Sequence, residues 1–426
     1  MTKLSAELKA RGLVEISSHD EIDAIIDGEK GSINFYVGFD PSASSIQIGN
    51  FLGVVTMMRM QKAGHTPYIL VGGATGMIGD PSGKSAERNL LDEETLLKNV
   101  EAIKTQLSKF LSFEGKNAAV VVNNLDWISK FSFLDFLRIV GKRFRLSDML
   151  AKDSVKSRLS SESGISYTEF SYQMIQAYDF AHLCKEHNVT LQMGGSDQWG
   201  NITAGIDLAR KMHSAQVYGL VTPLVTDANG KKFGKSEGGS TIYLDEKVTS
   251  PYQMYQYLLN SDDKSVISYL KFYTFKSLSE IEALEKQTEA EPHKRVAQKE
   301  LAEAVVEMAH GREGLEAALR ATSFFFGGTI ENVSDAEVAS IFSDVPSVEL
   351  EESVLSAGIN ILDMLAATPL FKSKGEARRS VEQKGVYLNN LSVESVELKV
   401  TSERLASESS LVIRKGKKNY CVVKFL

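Results

Sequence analysis

Short apolar runs typical of strands alternate with helical stretches along the first half of the chain. The predicted strands lie at 34–40, 66–73, 117–124 and 189–195. Segments whose apolar residues recur every three or four positions predict helices at 48–64 and 170–187, and a third that begins within 196–212. This alternation predicts a parallel sheet covered by helices on both faces. Ligands bind such sheets at the carboxyl ends of the strands, so the residues that follow each strand are candidate site residues.

The pattern changes after Ser250-Pro251. Residues 252–342 have helical periodicity, many charges and few β-branched runs. A linker is predicted at 343–353, and the remainder combines a basic helical stretch with short strands. We therefore predict three domains: an α/β domain at 1–249, an α-helical domain at 250–345 and a small α+β domain at 354–426.

Charge is unevenly distributed along the sequence. The 426 residues have a net charge of −7, yet residues 352–426 hold 12 Lys and Arg against 8 Asp and Glu, a net of +4. The rest of the chain has 36 basic and 47 acidic residues, a net of −11. A basic C-terminal segment on an acidic body indicates that this segment meets a polyanion.

Cysteine content and hydropathy predict a cytoplasmic protein with no membrane partner. Cys184 and Cys421 are the only cysteines and have no paired spacing, which excludes a disulfide framework and a zinc site. No apolar run approaches the roughly 20 residues of a membrane helix. The N-terminal residues 1–18 are mixed in charge and do not form a signal peptide.

The glycine-rich stretch VGGATGMIGDPSGKS at 71–85 follows a predicted strand. A phosphate-binding P-loop needs four residues before its Gly-Lys-Ser, and only three separate Gly79 from Gly83. GGATG also fails the dinucleotide pattern. The position still favours ligand contact over a plain turn, and the charged residues there are Asp80, Lys84 and Arg88.

Two further polar stretches lie beside glycines. GKKFGKSEGG at 230–239 holds lysines that can neutralise a triphosphate, although a lysine run alone is more often a solvated loop. In GGSDQWGNI at 194–202, Asp197 and Gln198 either hydrogen-bond a ribose or a small polar ligand, or Ser196 or Asp197 caps the helix that follows.

Tyr172, Gln176 and Asp179 are spaced by four and three residues and so share one face of a helix. Three polar groups on an otherwise apolar face are costly to bury without partners. They either satisfy one another or line a polar pocket.

The ordered set of motifs resembles the bacterial-type tyrosyl-tRNA synthetases of class I. The matching stretches are YVGFDPSASS, QIGN, GGATGMIGDPSGKS, EFSYQMIQAYDF, GGSDQWGNITAG and KFGKS. The resemblance implies a Rossmann-like catalytic domain, a helical domain on the anticodon side of the tRNA and a C-terminal RNA-binding domain. It also implies activation of L-tyrosine with ATP and Mg²⁺, transfer of tyrosine to tRNA(Tyr), and a homodimer. The sequence has no His, Cys, Asp or Glu spacing that calls for a structural metal.

The two class I signatures correspond to 47–50 and 232–236. By resemblance, the groups that stabilise the phosphates and the leaving pyrophosphate are Gln47, Asn50, Lys84, Lys232, Lys235 and Ser236. Gly49 would offer backbone N–H groups at a helix N-terminus and let adenine approach closely. Asp40 would lie near the nucleotide and Asp197 would contact its ribose.

The resemblance also assigns the amino-acid and tRNA contacts. Tyr36 and Asp179 would hold the phenol of tyrosine, and Gly38 would form the pocket floor. Asp80, Tyr172 and Gln176 would hold the α-ammonium, and Gln198 the carboxyl end. The tRNA would meet the basic residues Lys372, Lys374, Arg378 and Arg379, together with Arg88.

Three alternatives differ in substrate or class. A tryptophanyl-tRNA synthetase shares the fold, but the phenol-binding pair argues against it. An RNA-binding paralogue without aminoacylation is worth weighing because Gln47 replaces the usual first signature histidine. A P-loop ATPase is weakened by the failed spacing. We expect an active enzyme, since Gln47 can still donate a hydrogen bond to a phosphate oxygen.

Overall fold

The structure is a computed structural model. It describes residues 3–82, 91–160, 164–235, 239–325, 328–329, 333–342, 345–416 and 419–426. The chain divides into two compact units: residues 1–248 with 259–309, and residues 249–258 with 310–426. The predicted division into three domains remains a prediction.

A six-stranded sheet forms the centre of the first unit. Its strands are β1 Ile16–Ser17, β2 Asn34–Phe39, β3 Thr66–Val71, β4 Val120–Asn123, β5 Val189–Gly195 and β6 Tyr218–Thr222. The strand order is β1-β6-β5-β2-β3-β4, and every neighbouring pair is parallel except β1 with β6. The chain runs outward from β2 to β4 and then returns to β5 on the other side of β2. The strand order therefore reverses between β2 and β5, where parallel sheets bind ligands.

Helices cover the sheet and continue beyond it. Their bounds are α1 Leu4–Ala10, α2 Ile22–Ile26, α3 Phe51–Lys62, α4 Gly73–Ile78, α5 Glu93–Leu107, α6 Leu125–Ile128, α7 Phe133–Ile139, α8 Leu146–Leu150, α9 Asp153–Leu159, α10 Tyr167–His187, α11 Trp199–His213, α12 Pro251–Leu259, α13 Val266–Tyr273, α14 Leu278–Ala290 and α15 Val296–Phe325. Gly311 interrupts α15 with a φ of 72° and a ψ of −179°. Within the described residues, none of these helices is both long and apolar enough to cross a membrane.

Local sequence explains the two elements that frame the site. In β2 the side chains of Phe35, Tyr36 and Val37 are all buried, as expected for a strand covered on both faces. Helix α10 begins where Ser166 accepts a hydrogen bond from the Glu169 amide, and ends at Asn188, whose φ is 50°. The apolar side of α10 packs into a core beneath the sheet. Its polar side chains are thereby held at fixed positions beside β2 and β5.

The second unit contains a five-stranded sheet of order β10-β9-β12-β13-β7 and a separate two-stranded pair, β11 with β8. Its strands are β7 Ser347–Leu350, β8 Ile359–Asn360, β9 Val386–Leu388, β10 Leu391–Ser392, β11 Lys399–Val400, β12 Ser410–Lys415 and β13 Asn419–Phe425. Its further helices are α16 Asp335–Ile341, α17 Ser353–Ala357, α18 Ile361–Ala366 and α19 Lys374–Glu382. Two apolar cores stabilise this unit.

The predicted linker at 343–353 is wrong in part. Residues 347–350 form β7, which pairs in parallel with β13, with Val348 opposite Val423. Val348 and Leu350 are half-buried while Ser347 and Glu349 are exposed, so the stretch alternates as an edge strand does. The remaining elements agree with the predicted fold class: a parallel α/β sheet, a helical middle region and a C-terminal α+β unit.

Candidate active site

Polar residues from four neighbouring strands meet at the carboxyl edge of the first sheet. Asp40 follows β2, Thr75 follows β3 on α4, Asn124 follows β4, and Asp197 follows β5. Because the carboxyl ends of parallel strands share one edge, residues distant in sequence become neighbours here. This edge lies at the reversal of strand order between β2 and β5.

Asp40 is held from two sides. The hydroxyl of Tyr172 on α10 donates to Oδ2 of Asp40 at 2.9 Å, and the hydroxyl of Thr75 donates to Oδ1 at 2.8 Å. Gly72 makes room for this arrangement, because a Cβ there would lie 2.4 Å from Asp40 Oδ1. Burial, followed by the Asp40 charge, raises the pKa of Tyr172 well above its usual value. Tyr172 therefore stays a neutral donor.

Asp179 on α10 is a fully buried carboxylate. The indole Nε1 of Trp127 donates to Oδ1 at 2.8 Å, and Nδ2 of Asn124 donates to Oδ2 at 3.0 Å. Burial raises the pKa of Asp179 to about 7, although these two hydrogen bonds act in the opposite direction. The group therefore titrates near neutral pH and is stabilised as an anion by any further donor.

Several buried polar atoms on β2, β5 and α10 have no hydrogen-bond partner among the described residues. They are the Tyr36 hydroxyl, Gln176 Oε1 and Gln192 Oε1. Tyr36 and Gln192 lie opposite each other on β2 and β5, so their side chains share one face of the sheet. Burial and the Asp179 charge raise the pKa of Tyr36 well above its usual value. Unpaired buried polar groups are rare in native proteins, so this cluster indicates a pocket for a polar ligand.

Asp80 and Gln198 also lie together. Gln198 Nε2 donates to Asp80 Oδ2 at 2.7 Å, and the Ser82 amide donates to Asp80 Oδ1 at 2.9 Å. Asn201 on α11 fixes Gln198 by donating to its Oε1 at 3.1 Å. The charges of both Asp80 and Asp179 act on Tyr172. The predicted tyrosine contacts of α10 thus lie in the same neighbourhood as Asp80.

The two signature stretches touch through their backbones. A Cβ at Gly49 would lie 3.0 Å from the carbonyl oxygen of Phe233, and one at Gly234 would lie 3.4 Å from the Gly49 amide nitrogen. Gly234 also has a φ of 104°, which favours glycine. Ile242 bonds to both signature stretches. Its carbonyl accepts from the Ile48 amide, and its amide donates to the carbonyl of Gly234.

The polar side chains that the structure describes in the two signatures are exposed to solvent. Gln47 and Asn50 are exposed at the start of α3, where Asn50 occupies the N-cap position. Lys235 is exposed, and Lys232 Nζ lies 3.9 Å from Asp197 Oδ2. Gly38, on the same face of β2 as Tyr36 and Asp40, is exposed as the strand reaches the edge.

Not every predicted residue belongs to this cluster. Lys84, Arg88 and Ser236 lie outside the described residues. Lys372, Lys374, Arg378 and Arg379 are exposed on or beside α19 in the second unit. Their assigned roles remain predictions.

Sequence reasoning missed Thr75, Asn124, Trp127 and Gln192. Asn124 is the last residue of the predicted strand 117–124, and Thr75 lies two residues beyond the predicted strand 66–73. The rule that ligands bind at strand ends was therefore a usable signal for both. Trp127 and Gln192 gave no comparable signal. Trp127 reaches Asp179 across 52 positions, and Gln192 stands within an apolar strand.

This arrangement suits a ligand with two different ends. Carboxylates and neutral hydrogen-bonding groups line the inner part, while lysines and a helix N-terminus border the outer part. The inner part suits an amine and a hydroxyl, and the outer part suits phosphate groups. Among the described residues, no three His, Cys, Asp or Glu side chains are grouped to hold a metal ion.

Comparison with known proteins settles the family. The family model of class I tRNA synthetases for tryptophan and tyrosine (W and Y) matches residues 29–327. The model of the SYY-like C-terminal domain of tyrosine–tRNA ligases matches residues 337–423. The chain belongs to the class I tyrosyl-tRNA synthetases. Membership of this family confirms the resemblance found in the motifs.

Relatives within this family match over the full length. The tyrosine–tRNA ligase of Roseiflexus castenholzii is 47% identical over 428 residues, covering 100% of both chains. That of Rhodopirellula baltica is 46% identical, covering 99% of this chain and 96% of the relative. A solved structure, the C-terminally truncated mitochondrial tyrosyl-tRNA synthetase of Coccidioides posadasii, is 32% identical with a TM-score of 0.64. The match covers 75% of this chain and 91% of that one.

Proposed function

We propose that this chain joins L-tyrosine to ATP as tyrosyl-adenylate and then transfers the tyrosyl group to tRNA(Tyr). The observation that carries the proposal is the buried pair of Tyr36 and Asp179, a carboxylate beside a hydroxyl that has no partner among the described residues. Membership of the tyrosyl-tRNA synthetase family supports the same substrate. The pair supplies what a phenol needs, namely one donor and one acceptor.

The inner pocket explains the preference for tyrosine. The substrate phenol donates to Asp179 and accepts from Tyr36. Phenylalanine would leave both groups buried without partners, a form of discrimination for which this enzyme family is itself the standard example. Tryptophan places no hydroxyl between them. Gly38, which is exposed at the end of β2, would form the pocket floor.

The polar groups around Asp80 suit the other end of the amino acid. The α-ammonium lies against Asp80, Tyr172 and Gln176, whose Oε1, unpaired within the described part of the chain, can accept one of its three N–H donors. Gln198 is held beside Asp80, where its amide can reach the substrate carboxyl group. These contacts orient the carboxylate for attack on ATP.

ATP enters as its magnesium complex and lies toward the signatures. Asp197 holds the ribose, Asp40 lies near the nucleotide, and the N-terminus of α3 faces phosphate oxygens. The tyrosine carboxylate attacks the α-phosphorus, and the bond to the bridging oxygen breaks to release pyrophosphate. The groups that stabilise this leaving group are Gln47, Asn50, Lys232 and Lys235, with Lys84 and Ser236 as further predicted contacts.

In the second step a hydroxyl of the terminal tRNA ribose attacks the tyrosyl carbonyl, and AMP leaves. The tRNA backbone would lie on the basic surface formed by Lys372, Lys374, Arg378 and Arg379, with Arg88 as a predicted contact. These side chains on and beside α19 are exposed, as phosphate contacts require. We place the reaction in the cytoplasm.

We also propose that the chain acts as a homodimer through α7–α10. Large apolar side chains are exposed on these helices, among them Phe133, Leu134, Leu146, Leu159 and Tyr167. Large exposed apolar patches mark interaction surfaces, and a second copy offers a matching one. Light scattering should show that Leu159→Asp shifts the protein to monomer, whereas Leu391→Asp, at an exposed leucine of the other unit, should not. An unchanged mass for Leu159→Asp contradicts this interface.

The function is tested by isolating the intermediate. Protein incubated with labelled tyrosine, ATP, Mg²⁺ and pyrophosphatase should retain tyrosyl-adenylate through gel filtration. Adding tRNA(Tyr) should then discharge it as tyrosyl-tRNA. Labelled tryptophan in the same protocol should leave no adenylate. A tryptophan adenylate, or tRNA binding without any adenylate, contradicts the proposal.

A further inference from the structure

Helix α13 holds the loop of the second signature at two points. The Phe233 ring is only 8% exposed and lies 4.4 Å from the Tyr269 ring and 5.6 Å from the Tyr273 ring, measured between centroids. The Tyr269 hydroxyl donates to the carbonyl oxygen of Thr226 at 2.8 Å. One helix therefore anchors both the start of the loop and the aromatic residue between its lysines.

Helix α13 is itself fixed to α3. Arg11 donates to the carbonyls of Lys271 at 3.2 Å and Lys276 at 2.6 Å, and Arg59 of α3 donates to the carbonyl of Thr274. Both guanidiniums are buried, and burial lowers the pKa of Arg59 to about 10, with a further contribution from the Arg11 charge. Carbonyls at a helix C-terminus are favourable partners for cations, so α13 and α3 are joined as one body.

The same two helices meet again near the signatures. Phe51, the first residue of α3, stacks on Tyr273 with centroids 6.3 Å apart and planes 13° apart. The first signature immediately precedes Phe51, and Phe233 of the second signature lies on Tyr273 and Tyr269. The joined helices thus set the position of one signature relative to the other.

The loop itself is a short irregular hairpin. Thr226 bridges Lys232, and the Phe233 amide donates to the Val225 carbonyl at 2.9 Å. The Lys232 side chain is 54% exposed. A hairpin of this length gains its stability from packing against another element, and two tyrosines of α13 pack against its buried aromatic ring.

We propose that Tyr269 is a positioning residue for adenylate formation. Its hydroxyl holds Thr226 and its ring supports Phe233, and together they hold Lys232 and Lys235 toward the triphosphate. The inference rests on the proposed function of this site. Tyr269 acts through the loop rather than on the substrate. Losing its hydroxyl lowers the fraction of time in which the lysines are in place, and so lowers the rate while tyrosine binding stays intact.

The test compares Tyr269→Phe with the wild-type protein and with Tyr218→Phe. Tyr218 also donates one hydroxyl hydrogen bond, to Glu21 at 2.7 Å, but it lies at the start of β6 away from the loop. Tyr269→Phe keeps the ring against Phe233 and removes the bond to Thr226. The measurements are the single-turnover rate of adenylate formation, tyrosine affinity without ATP, thermal midpoint, and trypsin cleavage after Lys231, Lys232 and Lys235.

We expect Tyr269→Phe to form adenylate about fivefold to tenfold more slowly, the effect of losing one hydrogen bond. Cleavage within the loop should be faster, with tyrosine affinity unchanged. Tyr218→Phe should match the wild type in rate and cleavage. The inference is overturned if Tyr269→Phe keeps the wild-type rate, or if its rate loss comes with an equal loss of tyrosine affinity. A wild-type protein that forms no adenylate would instead contradict the proposed function.

Discussion

At the residue scale, Tyr36 buries a hydroxyl that has no partner among the described residues. An unsatisfied buried hydroxyl costs about 1–3 kcal/mol until a ligand pairs with it. Tyr36→Phe should therefore raise the thermal midpoint of the ligand-free protein while raising the KM for tyrosine about tenfold. Differential scanning calorimetry and steady-state kinetics measure the two effects. A variant that loses both stability and tyrosine affinity would show that the hydroxyl has a structural partner.

The buried Asp179 carboxyl should make tyrosine binding dependent on pH. Its pKa is raised to about 7 by burial, so its carboxylate is lost as pH falls through neutrality. A phenol that donates to the carboxylate binds best to the ionised form, and the Kd for tyrosine should rise about tenfold between pH 8 and pH 6. Calorimetric titration measures this.

Asp179→Asn is the matched variant for this titration, since it keeps the size of the side chain and cannot ionise. It should bind tyrosine more weakly with a Kd that does not vary over the same pH range. If the Kd of the unmodified protein is also flat between pH 8 and pH 6, the buried carboxylate does not accept from the phenol.

Gln47 differs from the residue that the family usually has at the first position of the first signature. A neutral amide stands where an imidazole that can be charged is usual. Gln47→His should raise the rate of adenylate formation and leave tyrosine affinity nearly unchanged, because the proposed role of Gln47 is to contact the phosphates and not the amino acid. Pre-steady-state kinetics test this. No gain in rate, or a changed tyrosine affinity, would show that Gln47 is not simply a weaker phosphate donor.

Sequence could name part of this site. Tyr36 and Asp179 emerged from a resemblance, and the shared helical face of Tyr172, Gln176 and Asp179 from spacing alone. The partners of Asp179 could not be predicted, because Asn124 reaches it across 55 positions and only the fold brings them together. Such contacts depend on strand order, which periodicity does not reveal.

At the scale of elements, the strongly apolar strands and the long helix were predictable. β2, β3, β5 and α10 all lie where the pattern placed them, within a few residues. The helix predicted from residue 48 begins only at Phe51, because residues 47–50 form a tighter turn in which the Asn50 amide donates to the Gln47 carbonyl three residues before it. β7 was missed because four residues on a sheet edge, none of them fully buried, resemble a linker.

The two signature stretches lie so close together that position 49 requires a glycine. A Cβ at Gly49 would lie 3.0 Å from the Phe233 carbonyl oxygen, closer than such atoms ordinarily approach. Gly49→Ala should displace the second loop and slow adenylate formation about tenfold or more, with tyrosine affinity retained. Gly375→Ala, whose Cβ meets only the far end of Ser373 at 3.9 Å, is the control in rapid-quench measurements. Equal rates for both variants would contradict the contact.

At the scale of the whole molecule, charge is unevenly distributed along the chain. The net charge of +4 over residues 352–426 contrasts with −11 in the rest of the chain. The double variant Arg378→Ala with Arg379→Ala should weaken tRNA charging. The slope of log tRNA affinity against log salt concentration should become shallower by about one unit for each phosphate that is no longer neutralised. Amino-acid activation without tRNA should be unchanged.

The charge-retaining pair Arg378→Lys with Arg379→Lys controls for the loss of charge. These variants keep a point charge at each position and should retain most of the tRNA affinity. Charging assays at several salt concentrations distinguish the two pairs. If the double alanine variant charges tRNA as well as the wild-type protein does, α19 does not contact the tRNA.

Composition and motif order were enough to predict the family and the fold class of the entire chain. The boundaries between parts were harder, because they depend on which helices and strands share a core. The Phe324 side chain, for example, shares a core with Val412 and Val422 of the C-terminal sheet, far along the sequence. Periodicity shows which face of a helix or strand is buried, but it does not show which other element packs against that face.

The central claim is that the Tyr36 and Asp179 pair selects tyrosine for activation by ATP. Tyrosine-dependent exchange of labelled pyrophosphate into ATP tests it most directly, because exchange requires a reversible adenylate. We predict exchange with tyrosine, and none above background with phenylalanine, tryptophan or no amino acid. Exchange that proceeds equally well with phenylalanine, or that needs no amino acid, would contradict the account.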